Sequence, residues 1–496
     1  MSNKYQFKNI RTIFNFLQKH DGSLRKKTVR SVSWVGITGI IVNTLSLIRG
    51  IILARLLTPE IFGLMSICLV VIRAFDIFTE TGFYAALIQR QECYEEAKDT
   101  AFALMILRGF ILAIIAILIS PFVANYYQEE VLDIALKVIA ITFIFGGFFN
   151  VNTVSLQKEL NFKRLSYLEQ AQGILNFVTV VILAYYLRSV WALVFGHVIA
   201  SLLGTILSFW IIPGRPRFRL DARIAKELFH YGKFITGISV LVFVTTEIDN
   251  VIIGKILGME ALGYYVLAYT LANLPATHIS KVISRVIFPA YSLLQDNLPA
   301  LQNAFFRTLK IVAFLTIPAA VGLAVLAPEI VGVVYGDKWM PAVNSLVILT
   351  LFGILRSISS VHGYLYNAIG MPNISFYMNL AKLILIIMII IPLTNRYEIV
   401  GASLAVTIPS VIQYSVGLFI LRKVIGIKFT KYFNILFVPS LCSLIMALVI
   451  LFVKKSFTSV NVIELSFLVV LGIFVYFALS YKEIKLNIQE LRTSTE

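Results

Sequence analysis

Apolar residues run along this chain in long blocks that are separated by short polar clusters. A block of about 20 such residues crosses the ~30 Å hydrocarbon core of a bilayer as an α-helix. We therefore predict an all-α integral membrane protein whose even number of spans puts both termini on one side. The pattern predicts about fourteen spans, at residues 31–54, 61–86, 101–124, 132–155, 166–187, 190–212, 230–256, 262–290, 308–330, 342–367, 374–393, 398–421, 433–453 and 462–481.

The charged residues are few and lie mostly between the apolar blocks. Hydrophobic residues make up 58% of the 496 and charged residues only 14%, with a formal net charge of +17. Lysine and arginine are dense in residues 1–30, 213–233 and 422–431, whereas 125–131 carries only acidic charge. Cytoplasmic loops of membrane proteins carry such a basic excess, so we predict that both termini are cytoplasmic. The excess then needs no nucleic acid partner to explain it.

No motif of an enzyme active site stands out in the sequence. There is no nucleotide-binding loop, zinc signature or nucleophile motif, and the loops between apolar blocks are too short to hold a catalytic domain. The cysteines Cys68, Cys93 and Cys442 are scattered and form no metal-binding pair. We expect a transporter rather than an enzyme, with no cofactor and no bound metal.

The basic clusters divide the chain into segments. Residues 1–30 are predicted to be either a cytoplasmic amphipathic helix or a disordered basic tail, and the long cluster after 212 to be a linker between two lobes. The predicted segments are 1–30 (N-terminal segment), 31–212 (first six spans), 213–229 (linker), 230–421 (next six spans), 433–481 (last two spans) and 482–496 (cytoplasmic tail).

A shift of the sequence by 200 residues brings two segments into register. Residues 48–64 read IRGIILARLLTPEIFGL and residues 248–264 read IDNVIIGKILGMEALGY, with five identical positions. Each segment covers the end of the first span of its lobe and the start of the second. Because six spans separate them, both copies have the same orientation, which predicts a parallel repeat about a pseudo-two-fold axis along the membrane normal, with a transport site at the repeat interface.

Two stretches carry a family resemblance. LARLLTPEIFGLMSI (53–67) with TETGFYAALIQR (79–90), and DNVIIGKILGMEALGYYVLAY (249–269) with SRVIFPAYSLLQ (284–295), resemble polysaccharide-exporting flippases of the Wzx/PST type. The likeness extends to about residue 425 and is nearest to the colanic-acid and teichuronic-acid branch. This family belongs to the MOP superfamily, as do MATE drug exporters and lipid II flippases, so the resemblance implies a MATE-like fold.

The resemblance implies a flippase of undecaprenyl-diphosphate-linked oligosaccharide in the bacterial inner membrane, working by alternating access with possible H⁺ or Na⁺ coupling. Its expected partners are that lipid-linked oligosaccharide, membrane lipids, and a polymerase and glycosyltransferases of the same pathway. A MATE-like cation-coupled antiporter and a lipid II flippase are the alternatives. Lipid II flippases resemble this chain around Arg49 and Arg55, but Gly50 stands where they carry an acidic residue, which counts against that alternative.

Charges inside the predicted spans are candidates for function, because an unpaired charge at the bilayer centre costs about 2.5–3.5 kcal/mol on insertion scales. Arg73, Asp76 and Glu80 share one helical face. Either Arg73 and Asp76 neutralise each other, or the stripe couples transport to protons, since two carboxylates one turn apart disfavour simultaneous ionisation. We list Arg73 among the cavity cations, and Asp76 and Glu80 as coupling or gating residues.

Further cations lie in later spans. Lys281 and Arg285 share a face and either reach the cytoplasmic interface or line a cavity. Arg356 and Lys382 are single mid-span cations, for which we favour positions at a cavity. All four would attract the diphosphate or an acidic sugar, and arginine binds phosphate oxygens through its planar fork.

The repeat also pairs Arg49 with Asp249. Residues at equivalent places in two lobes related by a two-fold axis would meet near that axis. We therefore predict a gating salt bridge on the periplasmic side that breaks when the transporter opens outward. Snorkelling of Arg49 to the interface is the competing interpretation.

Overall fold

Every regular element in the described part of the chain is a helix. The structure is a computed structural model that describes residues 22–79, 87, 94–158, 162–457 and 460–481, without side chains for 22–33, 35, 37, 40, 228–236, 238, 278–286 and 288–289. The α-helices of six or more residues are α1 (Gly22–Leu56), α2 (Pro59–Thr79), α3 (Tyr94–Tyr127), α4 (Glu130–Ile139), α5 (Ile141–Gly147), α6 (Thr153–Lys158), α7 (Phe162–Leu187), α8 (Val190–Ile211), α9 (Ala222–Leu294), α10 (Leu298–Val325), α11 (Ala342–Ala368), α12 (Pro372–Ile425), α13 (Phe429–Lys454) and α14 (Val462–Leu479). Three short helical segments lie between α10 and α11: the α-helical turn Ala327–Glu329, the π-helix Ile330–Tyr335 and the 3₁₀-helix Asp337–Trp339.

Nine of these helices, within the described residues, are long and apolar enough to cross a membrane. In hydrocarbon a helix satisfies all its backbone hydrogen bonds internally, which explains why apolar segments of this length fold this way. The chain is a multi-pass membrane protein. The predicted count of fourteen spans stays a prediction, since the labels α1–α14 number helical elements and not crossings.

Two of the long helices contain a sharp interruption. Non-helical backbone occurs at Gly258 in α9 (φ 83°, ψ 178°) and at Glu398 in α12 (φ 52°, ψ −135°). Positive φ suits glycine, which has no Cβ to clash. The interruption at Gly258 lies between the predicted spans 230–256 and 262–290. Glu398 is the first residue of the predicted span 398–421.

The predicted continuous span 132–155 is divided into α4, α5 and α6. The chain turns between Gly147 and Thr153, where the Asn150 side chain donates to three backbone carbonyl oxygens, those of Ser208 (3.4 Å), Ile212 (3.4 Å) and Gly214 (3.2 Å). An asparagine amide that satisfies carbonyls at the end of a neighbouring helix stabilises a turn that hydropathy alone does not reveal.

The chain forms two compact units. The first contains residues 1–56 and 75–237, and the second contains 57–74 and 238–496. In the first unit, the basic segment after α8 is attached to the start of α3. The Arg217 amide donates to Asp99 Oδ1 (2.9 Å), and Arg219 pairs with Glu96 (3.4 Å).

In the second unit, the two copies of the repeat cross at glycines. A Cβ built on Gly63 would lie 1.9 Å from the carbonyl oxygen of Met259, and one built on Gly263 would lie 1.9 Å from that of Pro59. These four residues are two pairs related by the 200-residue shift. Such an exchange of equivalent contacts is what a two-fold axis produces. The crossing requires residues without a Cβ at both positions.

Candidate functional site

The second unit contains a cavity of about 610 Å³. Its walls come from both parts of α9, from α11, and from both parts of α12. The helix segments before and after each interruption, at Gly258 and at Glu398, therefore line the same cavity. All the described lining residues lie between Leu241 and Gln413.

Lining residues of the cavity, most of them polar, recur at the spacing of one helix face. On α11 four of the lining residues follow an i, i+4, i+7, i+11 pattern, which places them on one face of the helix. They are Arg356, Ser360, Gly363 and Asn367. The two parts of α12 each repeat an i, i+4, i+7 pattern. These two sets are Ser375, Asn379 and Lys382 on the first part, and Val406, Ser410 and Gln413 on the second. The Gln413 amide donates to Asn379 Oδ1 (3.3 Å) and so joins the two parts.

Two cations, Arg356 and Lys382, stand on opposite helices at this cavity. The Arg356 Nη1 donates to the Tyr269 hydroxyl (3.0 Å) and to Asn273 Oδ1 (3.1 Å). Lys382 Nζ lies 4.9 Å from the centre of the Phe352 ring, and the guanidinium carbon of Arg356 lies 6.0 Å from the same centre. The Phe352 ring thus lies within cation–π distance of both positive charges.

The described lining of the cavity contains no carboxylate. Arg356 bonds only neutral oxygens, and no salt bridge of Arg356 or Lys382 occurs among the described residues. A cation in a membrane interior with no carboxylate in contact is costly unless water or an anion compensates it. The surrounding hydroxyl, amide and aromatic groups can bind sugar hydroxyls and stack on sugar rings. The site suits an anion that carries polar hydroxyl groups.

Arg73 and Asp76 have partners outside their own helix. Arg73 Nη1 donates to Glu247 Oε1 (2.5 Å), while Arg108 Nη2 donates to Asp76 Oδ1 (3.2 Å). The first pair lies in the second unit and the second pair in the first unit. Glu80, the third member of the predicted stripe, lies outside the described residues.

We expect the two halves of the Arg73–Glu247 pair to respond unequally to substitution. The Glu247 side chain is 9% exposed and the Arg73 side chain 50%. Arg73→Gln leaves a buried carboxylate without its cation and should destabilise the protein by about 1–3 kcal/mol, whereas Glu247→Gln leaves an arginine that is half exposed. Thermal unfolding in detergent measures the difference. R73Q/E247Q should be more stable than R73Q alone, and equal losses for both single variants would contradict this.

The other described site residues that the sequence predicts lie on α1 and α9. Asp249 is 2% exposed and accepts a hydrogen bond from the Tyr265 hydroxyl (2.6 Å). Arg49 is half-buried on α1 in the first unit. Lys281 and Arg285 lie on α9, but their side chains are outside the described ones.

Several residues of the site were not predicted. Glu247 is not among the predicted residues, although it is the partner of Arg73. Asn379 and Gln413 were not considered, because uncharged polar residues are common in spanning helices. Asn379 lies three positions before Lys382 and so shares its helix face, a spacing from which Asn379 could have been predicted.

Comparison with known proteins supports a common family. A model of the polysaccharide biosynthesis protein family matches residues 52–344. The lipopolysaccharide biosynthesis protein WzxC of Escherichia coli K12 is 27% identical, covering 85% of this chain and 86% of WzxC. The teichuronic acid biosynthesis protein TuaB of Bacillus subtilis 168 is also 27% identical, covering 86% of this chain and 89% of TuaB.

The fold has a solved counterpart. The structure of the lipid II flippase MurJ in an inward closed conformation matches with a TM-score of 0.76 at 18% sequence identity, covering 91% of this chain and 99% of that chain. This likeness confirms the predicted fold class. With a family model that matches more than half of its residues, the chain belongs to the polysaccharide biosynthesis protein family.

Proposed function

We propose that this protein is a flippase, which moves a polyprenyl-diphosphate-linked oligosaccharide from the cytoplasmic to the outer leaflet by alternating access. The observation that carries the proposal is the cavity of the second unit, where Arg356 and Lys382 face a lining of hydroxyls, amides and aromatic rings. Its relatives WzxC and TuaB are named for the biosynthesis of lipopolysaccharide and teichuronic acid. The proposed reaction is transport, and no catalytic residue is assigned.

The chemistry of the cargo matches the cavity. A diphosphate carries negative charge that a bilayer interior excludes, and Arg356 and Lys382 replace the water that stabilises it elsewhere. Sugar rings offer hydroxyls to Asn379 and Gln413 and an apolar face to Phe352. Arg73, Lys281 and Arg285 remain proposed further cations on the cargo's path.

A MATE-like antiporter of cationic drugs is the competing function. Such a transporter needs acidic and aromatic residues at its binding site. The described carboxylates nearest in sequence to the cavity lining on α9, Glu247 and Asp249, are already bonded to Arg73 and to Tyr265. The positive charges of Arg356 and Lys382 would repel a cationic drug. A lipid II flippase would use the same fold with a different sugar head.

Location, partners and energy source follow as parts of the proposal. We infer a bacterial inner membrane, both termini in the cytoplasm, and a polymerase and glycosyltransferases of the same pathway as partners. The membrane potential contributes about 2.3 kcal/mol per charge per 100 mV to moving an anion outward. H⁺ or Na⁺ exchange through Asp76 or Glu80 is the alternative source.

Deletion of the gene tests the function directly. In a strain without a redundant flippase, we expect surface polysaccharide to fall and lipid-linked oligosaccharide to accumulate in the cytoplasmic leaflet, where added membrane-impermeant glycosidase cannot reach it. Wild-type protein from a plasmid should restore both. Unchanged surface polysaccharide and unchanged accessibility would refute the proposal.

The Arg49–Asp249 pair is a proposed gate, supported by its equivalent positions in the repeat. Arg49→Asp and Asp249→Arg should each reduce export because each brings like charges together at the gate. The double variant R49D/D249R should recover export, measured as surface polysaccharide at matched protein level. If the double variant is no better than the worse single variant, the two residues do not form a gate.

A further inference from the structure

An apolar groove adjoins the polar cavity in the second unit. It has a volume of about 390 Å³ and lies between the two parts of α12. Three side chains, Met378, Lys382 and Gln413, line both the groove and the cavity. The rest of the groove is almost entirely apolar and includes Ile374, Leu385, Pro409, Ile412, Val416 and Ile420.

The apolar, charged and polar parts of this surface follow one another in the same order as the parts of a polyprenyl-diphosphate oligosaccharide. A polyprenyl-diphosphate oligosaccharide has a branched hydrocarbon chain, then a diphosphate, then sugars. The groove is apolar, its junction with the cavity holds Lys382, and the cavity is lined by polar and aromatic groups. Lys382 is the only cation that the described linings of groove and cavity share.

We propose that the groove binds the isoprenoid units nearest the diphosphate, that Lys382 binds the diphosphate at the junction, and that the cavity holds the sugars. This assignment rests on the proposed flippase function and adds where its lipid end lies. It gives Lys382 a role different from that of Arg356, which lines the cavity and not the groove.

The depth of Lys382 argues against an ordinary phospholipid as the occupant. Lys382 lies ten residues after the start of α12 at Pro372, about 15 Å along the helix, with roughly 24 Å more to Glu398. A phospholipid keeps its phosphate at the membrane interface, outside the ~30 Å hydrocarbon core. A lipid whose phosphate meets Lys382 must have a head that enters the protein, as a cargo does.

One pair of valines on the second part of α12 tests the groove. Val416 lines the groove and is 46% exposed, while Val411 does not line it and is 40% exposed. Val416→Trp fills the groove and is expected to lower export at least tenfold at matched protein level. Val411→Trp adds the same side chain to another exposed position of the same helix and should stay within twofold of wild type.

The outcomes separate this inference from the proposed function. If deletion of the gene lowers export but Val416→Trp restores it as well as Val411→Trp does, the flippase function stands and the groove assignment is wrong. If deletion changes neither export nor the leaflet of the lipid-linked oligosaccharide, the function itself fails.

A photoreactive probe tests the occupant. We would use the purified protein in nanodiscs and a polyprenyl diphosphate disaccharide with a diazirine on its second isoprene unit. We expect labelling of peptides from 374–385 and 409–420, reduced at least tenfold in Lys382→Gln and less in Arg356→Gln. Phosphatidylglycerol with a diazirine in its acyl chain is the comparison. Equal labelling of the groove by both probes, or labelling that ignores Lys382→Gln, would overturn the assignment in favour of bulk lipid.

Discussion

Replacing Arg356 and Lys382 together by glutamine is expected to abolish export. Hydrogen bonds to a charged group contribute about 1.5–3 kcal/mol each, so every lost cation should lower transport by roughly 10- to 100-fold. The two cations lie near the same Phe352 ring, and no described residue of the lining supplies a carboxylate. Their charges are therefore available for an anionic head. Export is measured as surface polysaccharide after complementation of the deletion strain.

Conservative and distant substitutions provide the controls. Arg356→Lys and Lys382→Arg keep the charge and should retain measurable export, with Arg356→Lys the weaker because lysine lacks the planar fork. Lys455→Gln removes a charge from an exposed turn after α13 and should behave as wild type. Normal export by R356Q/K382Q, with the protein present at the wild-type level, would show that these cations do not bind the cargo.

Placing a side chain at the glycine crossing is expected to cause the largest loss of stability. A methyl group at Gly63 or Gly263 would lie 1.9 Å from a backbone carbonyl oxygen, which is closer than any real contact. Neither backbone is a flexible side chain that can move aside, so the helices must separate. Overpacking costs about 1–3 kcal/mol where a core adjusts, and more is expected here because the obstacle is main chain. Gly63→Ala and Gly263→Ala should each lower the midpoint of thermal unfolding in detergent.

Because the crossing is symmetric, the stability losses of the two single variants should not add in the double variant. One separation of the helices relieves both clashes, so G63A/G263A should cost clearly less than the sum of the single variants. Gly50→Ala is the matched control, because its Cβ would meet nothing within 4 Å and alanine favours the helix. Additive losses, or no loss at either glycine, would contradict the close crossing.

The positions of the helices could be predicted from the sequence better than the contacts between them. Length and hydropathy located the breaks near Gly258 and Glu398, because a helix that spans a membrane must end within a few residues of the bilayer surface. The same reasoning missed the turn around Asn150. Its cause is hydrogen bonding to the carbonyl groups of α8, which depends on tertiary contact.

The site was only partly predictable for a related reason. Arg356 and Lys382 were found because a mid-span charge is rare, and their rarity is visible in one sequence. The partner of Arg73 was not found, because Glu247 lies 174 positions away and only folding brings the two together. Spacing identifies which face a residue occupies, whereas pairing across helices requires the packed structure.

The cavity has a consequence for how this protein can diversify. All of its described lining comes from one uninterrupted stretch, between Leu241 and Gln413. A binding site assembled from distant parts of a chain must change in several places at once to accept a new ligand. Here a single recombination event across that stretch would exchange the whole lining, while residues 1–237 stayed as they were. Under the proposed function, cargo preference would then be transferred between relatives as a single segment of the chain.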